Sequence, residues 1–179
     1  EKPTEKSPDI MTWLILIYKN DKTFAPYCSE LIKMKIIDFL KKTNTPKNNI
    51  ILCPVPDFHE RKYKKGELLV GLISEKIGIF TSNLLVKIKD IEKQHSQKKL
   101  SQKFENVRGA FCFNKGEVEI KNKIIFLIDD IFSTGASVNE CARILKENGA
   151  KRVYVFTLGR TIIPEKEEKK EKWISMTML

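Results

Sequence analysis

Asp129 and Asp130 stand side by side just before Ser133-Thr134-Gly135-Ala136-Ser137, and no other stretch of the chain gathers so much usable chemistry. Paired carboxylates accept hydrogen bonds from neighbouring hydroxyls, or hold a hard cation directly or through water. Gly135 permits backbone angles closed to other residues, so the turn can tighten and aim successive N–H groups at one point. Ser133, Thr134 and Ser137 add hydroxyl donors. A helix beginning near Ala136 adds unsatisfied N–H groups and the positive end of its dipole. Such a cradle suits a terminal phosphate and the acids beside it suit a diol; a phosphorylated sugar presents both. The competing reading is a helix N-terminus that the acids merely stabilise. The turn lacks the Gly-Lys-Ser/Thr of a Walker loop and the three close glycines of a dinucleotide fingerprint, which disfavours a generic ATPase or dehydrogenase.

The elements that must position these residues are legible on both sides. Lys123 to Ile128 is an apolar run that reads as the central strand. Ala136 to Asn148 reads as a helix, with Val138, Cys141, Ala142 and Leu145 on one face and Asn148-Gly149 as its stop. Arg152 to Leu158 reads as the next strand. Strand, helix and strand in this order argue an α/β fold with a parallel sheet, whose ligands bind at the carboxyl edge. Upstream, Met11 to Tyr18 reads as a buried strand, Ser29 to Lys42 as a helix and Ile50 to Cys53 as a short strand stopped by Pro54-Val55-Pro56. A basic loop from Asp57 to Gly66 leads into a helix over Glu67 to Ile77. Leu84 to Ile88 and Gly109 to Phe113 are strand candidates, and Val118 and Ile120 alternate as in a hairpin. Lys89 to Asn106 is long and polar without a period, as lids and flexible loops are. Three regions result: a strand-and-helix region over 1–48, a core over 49–163 and a charged tail over 164–179.

The chain has 179 residues, a size that fits one domain with a small appendage. Lys and Arg number 33 against 23 Asp and Glu, and the net charge of +10 favours anionic partners without choosing among nucleic acid, membrane surface and phosphorylated metabolites. Cys28, Cys53, Cys112 and Cys141 show no C-x₂-C spacing and stand apart from His59 and His95, so a zinc site is disfavoured. The first ten residues are polar, and the apolar run after them is too short to span a bilayer. A cytoplasmic protein without membrane insertion is expected.

The string Ile128-Asp129-Asp130-Ile131-Phe132-Ser133-Thr134-Gly135-Ala136-Ser137 resembles the 5-phosphoribosyl 1-pyrophosphate (PRPP) signature of the type I phosphoribosyltransferases. More narrowly the chain is similar to their ComF/GntX branch, associated in some bacteria with competence and DNA uptake. That branch carries an Arg-Gly-Phe-Asn-Gln-Ala-Glu-Leu-Leu-like stretch, read here as Arg61-Lys62-Tyr63-Lys64-Lys65-Gly66-Glu67-Leu68-Leu69 with two lysines where relatives have amides. Gln94, Gln97, Leu100 and Asn106-Val107-Arg108-Gly109-Ala110-Phe111 match its glutamine-rich hinge, and Gly149 to Val153 and Thr157 to Arg160 its ending. The similarity covers roughly residues 50–160.

The resemblance implies a type I phosphoribosyltransferase-like fold, a mostly parallel twisted sheet with flanking helices and a mobile hood. The hood would be Lys89 to Asn106, with region 1–48 a second candidate. Asp129 and Asp130 would take the ribose hydroxyls and hold Mg²⁺, directly or through water. Ser133, Thr134, Gly135, Ala136 and Ser137 would wrap the 5′-phosphate. Val55, Pro56, Arg61, Lys64 and Lys65 would hold the pyrophosphate, with Arg61 the charged catalytic helper beside the two acids. PRPP or a ribose 5-phosphate-type ligand is the expected partner, and phosphoribosyl transfer to a nitrogen acceptor the expected reaction. Two alternatives stand beside it: a non-catalytic competence factor that binds single-stranded DNA, and a regulator that senses a ribose phosphate. Relatives pair, which implies a homodimer.

Overall fold

The computed structural model describes residues 10–57, 64–89, 100–116 and 118–161. At its centre is strand β4 (Ile124–Phe132), flanked by β1 (Ile50–Pro54) and β5 (Arg152–Arg160) in a parallel sheet of order β1-β4-β5. The register pairs Ile50 with Ile124 and Ile124 with Arg152, so all three carboxyl ends meet at one edge. Ile125, Phe126, Leu127 and Ile128 are fully buried, as a central strand covered on both faces requires. Helix α5 (Ala136–Glu147) joins β4 to β5, and Asn148 and Gly149 (φ +98) end it as expected.

Alternation along the strands divides the core into two. Phe126, Ile128, Phe156, Leu158, Ile50 and Leu52 face helices α1 (Ile10–Tyr18), α2 (Ala25–Thr43) and α3 (Lys65–Ile77). Ile125, Leu127, Ile51 and Cys53 face α5, a short ribbon and helix α4 (Leu100–Val107). Phe39 of α2 fixes the first layer with edge-to-face contacts on Phe126 and Phe156, at centroid separations of 5.5 and 5.8 Å. No disulfide joins the four thiols: Cys28, Cys53 and Cys141 are sealed inside and Cys112 is partly open. Burial pushes the Cys53 thiol up to about 12.

Three expectations are corrected. Met11 to Tyr18 is helix α1, not a strand: Ile15 and Tyr18 point inward, while Ile10, Trp13 and Leu16 remain exposed. An apolar run covered on one side only is compatible with a helix, and Tyr18 secures it by donating its hydroxyl to the Lys65 carbonyl at 2.8 Å. The polar stretch before Gly109 is not structureless throughout, because α4 occupies its end; residues 90–99, including Gln94, Gln97 and His95, lie outside the described residues. Val118 and Ile120 form no hairpin. The antiparallel ribbon pairs β2 (Leu85–Lys87) with β3 (Phe111–Phe113) instead. The charged tail beyond Thr161 also lies outside the described residues.

The ribbon and α4 are moored to α5 by one buried acid. Glu140 accepts the N–H of Gly109 (φ +69) at 2.8 Å and both arms of the Arg143 guanidinium at 2.8 and 2.9 Å. Its carboxyl is held below the usual glutamate range, chiefly by Arg143 and against the effect of burial.

Candidate functional site

β1 ends at Pro54 opposite Ile128, and the Val55 N–H donates to the Ile128 carbonyl at 2.9 Å. Past that point β4 has a neighbour on one side only, pairing Asp129 with Thr157, Ile131 with Gly159 and Phe132 with Arg160. Strict alternation would put Ile128 and Ile131 on opposite faces, yet both pack on the α1–α3 core. Gly159 turns the same way: a Cβ added there would lie 2.9 Å from Ile15, although neighbouring Leu158 is buried in that core. The two strands therefore rotate together at the acidic pair.

Asp129 is half-buried, and its Oδ1 accepts the Asp130 N–H at 2.9 Å. Burial first, and the negative charge of Asp130 second, lift the Asp129 carboxyl well above the usual range; the charge of Asp57 adds to this. In α2, burial and then the charge of Asp130 push the Cys28 thiol up to about 11. The charge of Asp129 is felt across the sheet at Cys141 of α5.

The turn after β4 is built around Gly135 at φ +80, where a Cβ would come within 2.6 Å of Phe132 Cζ and 3.3 Å of Asn139 Nδ2. Both the backbone angle and the contact require glycine. Thr134 and Ala136 are buried, and the Ala136 N–H makes a long 3.4 Å bond to Thr134 Oγ1. The N–H groups of Ser133, Thr134, Gly135, Ser137 and Val138 find no acceptor among the described residues. They surround a cavity of about 70 Å³ lined by Asp129, Ile131, Phe132, the five turn residues and Val138. Asp130 is not in its lining. A larger open groove of about 440 Å³ lies at the opposite edge of the sheet, between Phe113, Ile120, Lys121 and Gly149, away from the acids.

On the other flank, Val55 and Pro56 follow β1 beside Ile128, and α3 approaches them closely. A Cβ on Gly66 would meet Pro54 Cβ at 3.0 Å and the Val55 carbonyl at 3.1 Å. Asp57 accepts the Lys65 N–H at 3.0 Å, closing the connection from β1 into α3. Sequence reading missed this cap because eight residues separate the partners, far more than a local capping box spans. Lys64 pairs with Glu67 at 3.0 Å. Arg61 lies outside the described residues. Among the described residues no group of three or more His, Cys, Asp or Glu side chains is arranged to hold a metal ion by itself. What the sheet edge offers is hard carboxylate oxygen, which fits a Mg²⁺ that reaches the site on a ligand's phosphates.

A buried β-run ending in paired acids, a glycine turn and a helix define a class, and the sequence profile of the phosphoribosyl transferase domain matches residues 29–178. The chain belongs to that family. Within it most of the matched relatives are competence and DNA-utilization proteins, which place the chain in the ComF-like branch. Competence protein F of Haemophilus influenzae is 27% identical over 144 residues, covering 78% of this chain and 61% of its own. Competence protein ComFC of Bacillus subtilis is 31% identical over 117 residues, covering 65% of this chain and 47% of its own. The chain thus spans about three fifths or less of the length of these relatives. Among solved structures, the glutamine PRPP amidotransferase from B. subtilis superposes with a TM-score of 0.46 at 19% identity, over 74% of this chain and 26% of that one. No helix among the described residues is long and apolar enough to cross a membrane.

Proposed function

We propose that this chain is a DNA-uptake factor of the competence branch whose sheet edge binds a 5-phosphoribosyl ligand, PRPP foremost. The observation that carries the reading is the set of N–H groups of Ser133, Thr134, Gly135, Ser137 and Val138, left without acceptors among the described residues around a cavity that Asp129 also lines. Buried donors without partners are costly, and a phosphate satisfies several at once. Asp129 and Asp130 take the ribose 2′- and 3′-hydroxyls, while Ser133, Thr134, Gly135, Ala136 and Ser137 wrap the 5′-phosphate. Val55, Pro56, Lys64 and Lys65 take the pyrophosphate, with Arg61, which lies outside the described residues, the charged helper the sequence offers. Asp129 and Asp130 would hold a Mg²⁺, directly or through water, and the ion would supply positive charge for the leaving pyrophosphate.

Transfer, where it occurs, breaks the bond from ribose C1 to the pyrophosphate oxygen, which leaves with the electron pair, and forms a bond from C1 to an acceptor nitrogen. The chain contributes orientation of the sugar and charge complementarity. The competence relatives favour a second reading, in which the fold serves single-stranded DNA without turnover. The net charge of +10 supports it, and such binding weakens steeply with salt.

Titration calorimetry with Mg²⁺ and PRPP, run beside an Asp129→Asn/Asp130→Asn variant, tests the site. Saturable binding that the variant loses is expected; identical titrations would refute the assignment. Pyrophosphate release then separates an enzyme from a sensor. Titration with a fluorescent single-stranded oligonucleotide across a salt series tests the DNA role, which undetectable or salt-insensitive binding would remove.

A further inference from the structure

The turn from Ser133 to Ser137 contains no cation, and the groups that gather near it on the sheet edge, Asp57, Asp129 and Asp130, are acids. A doubly charged phosphate placed there meets repulsion that only neutral donors, the backbone N–H groups and the hydroxyls of the turn, are at hand to offset. The β4–β5 ladder brings one guanidinium to the same place. Phe132 pairs with Arg160 in register, and the Thr161 N–H holds the Phe132 carbonyl at 2.9 Å. The Arg160 Cζ lies 5.6 Å from the centroid of the Phe132 ring. The same ring presses on Gly135, where an added Cβ would be 2.6 Å from its Cζ, and it lines the turn cavity. Phe132 thus touches both the turn, at Gly135, and the guanidinium of Arg160. Lys35 donates to the Thr157 carbonyl at 3.1 Å, three residues before Arg160 and away from the Phe132 ring pairing.

We infer that Arg160, carried on the Phe132 ring, is the anion-binding cation of the phosphate turn and recognises the 5-phosphate of the ligand. The inference rests on the phosphoribosyl reading and adds a residue to it. Phe132, which lines the cavity, carries the guanidinium on its ring, and a planar fork of donors suits phosphate oxygens. The bland alternative is a strand-end arginine that only packs on a phenylalanine.

The test titrates ribose 5-phosphate, without metal, into wild type, Arg160→Gln, Arg160→Lys and Phe132→Leu, with melting temperatures recorded for each. Arg160→Gln is expected to fold normally and to lose about tenfold in affinity, the scale of a hydrogen bond to a charged group. It should also flatten the salt dependence of binding, which a packing role would not do. Arg160→Lys should recover part of the loss, and Phe132→Leu should weaken binding in wild type but add little to Arg160→Gln. Unchanged affinity in Arg160→Gln, or equal losses in the Gln and Lys variants, would overturn the inference while leaving the phosphoribosyl reading intact. Wild type that does not bind ribose 5-phosphate would overturn both.

Discussion

Replacing Gly135 with alanine tests the phosphate turn through two separable costs. The first is the backbone: φ is +80, and an L-residue in that region loses roughly 1–2 kcal/mol. The second is contact, because the new methyl would lie 2.6 Å from Phe132 Cζ. The ring must leave its position between Gly135 and Arg160, at about 1 kcal/mol for an off-rotamer side chain. Together these predict a loss of about 2–3 kcal/mol. At about 2–4 °C per kcal/mol for a domain of this size, the melting temperature should fall by about 4–12 °C. Thermal melts followed by circular dichroism measure the sum, and a cycle with Phe132→Leu, which lacks the offending atom, separates the parts. Gly135→Ala should cost about 1 kcal/mol less in the Phe132→Leu background. An unchanged melting temperature would show the turn to be more pliant than its geometry implies. Equal costs in both backgrounds would refute the contact.

Two further outcomes follow from buried acids. Asp129→Asn should raise stability at neutral pH, because the folded chain holds the Asp129 carboxyl well above its ordinary range. With a raised folded value the native state binds the proton more tightly, so wild-type stability falls as pH rises through the window above about 3.9, and the gain in the variant vanishes below it. Melting temperatures from about pH 4 to 8 check the sign; a variant less stable than wild type at neutral pH would contradict it. Glu140→Gln should cost about 1 kcal/mol at neutral pH, discounted for the half-open Arg143. Since the Glu140 carboxyl is held low, that stabilisation is present above its unfolded value and lost as pH falls through the folded one, and urea melts of the two proteins should converge progressively as pH falls below about 4.3.

The sequence made the β4-α5-β5 unit plain because its signals agree: a β-branched buried run, a 3.6-residue apolar face and a Gly149 stop. Helix α1 was hidden because every residue from Ile10 to Tyr18 but Thr12 is apolar or aromatic, so no period distinguishes its buried side from its exposed one. Helix α4 was hidden for the opposite reason, since Leu100 to Val107 is mostly polar. At the site, the acids and the glycine turn were readable as a contiguous string. Asp57, Arg160 and Glu140 were not, because each acts through a partner distant in sequence: Lys65, Phe132 and Gly109. The joint rotation of β4 and β5 at the acidic pair needs the loss of β1 as a neighbour, which no local pattern announces.

The uneven exposure of the thiols has a practical use. A maleimide dye offered to the native chain meets one partly accessible sulfur, at Cys112 in the β2–β3 ribbon, while Cys28, Cys53 and Cys141 are enclosed. Labelling is therefore site-selective without mutagenesis. The fluorophore would sit on the ribbon whose other strand ends two residues before Lys89, a defined anchor point for distance measurements in single-molecule records.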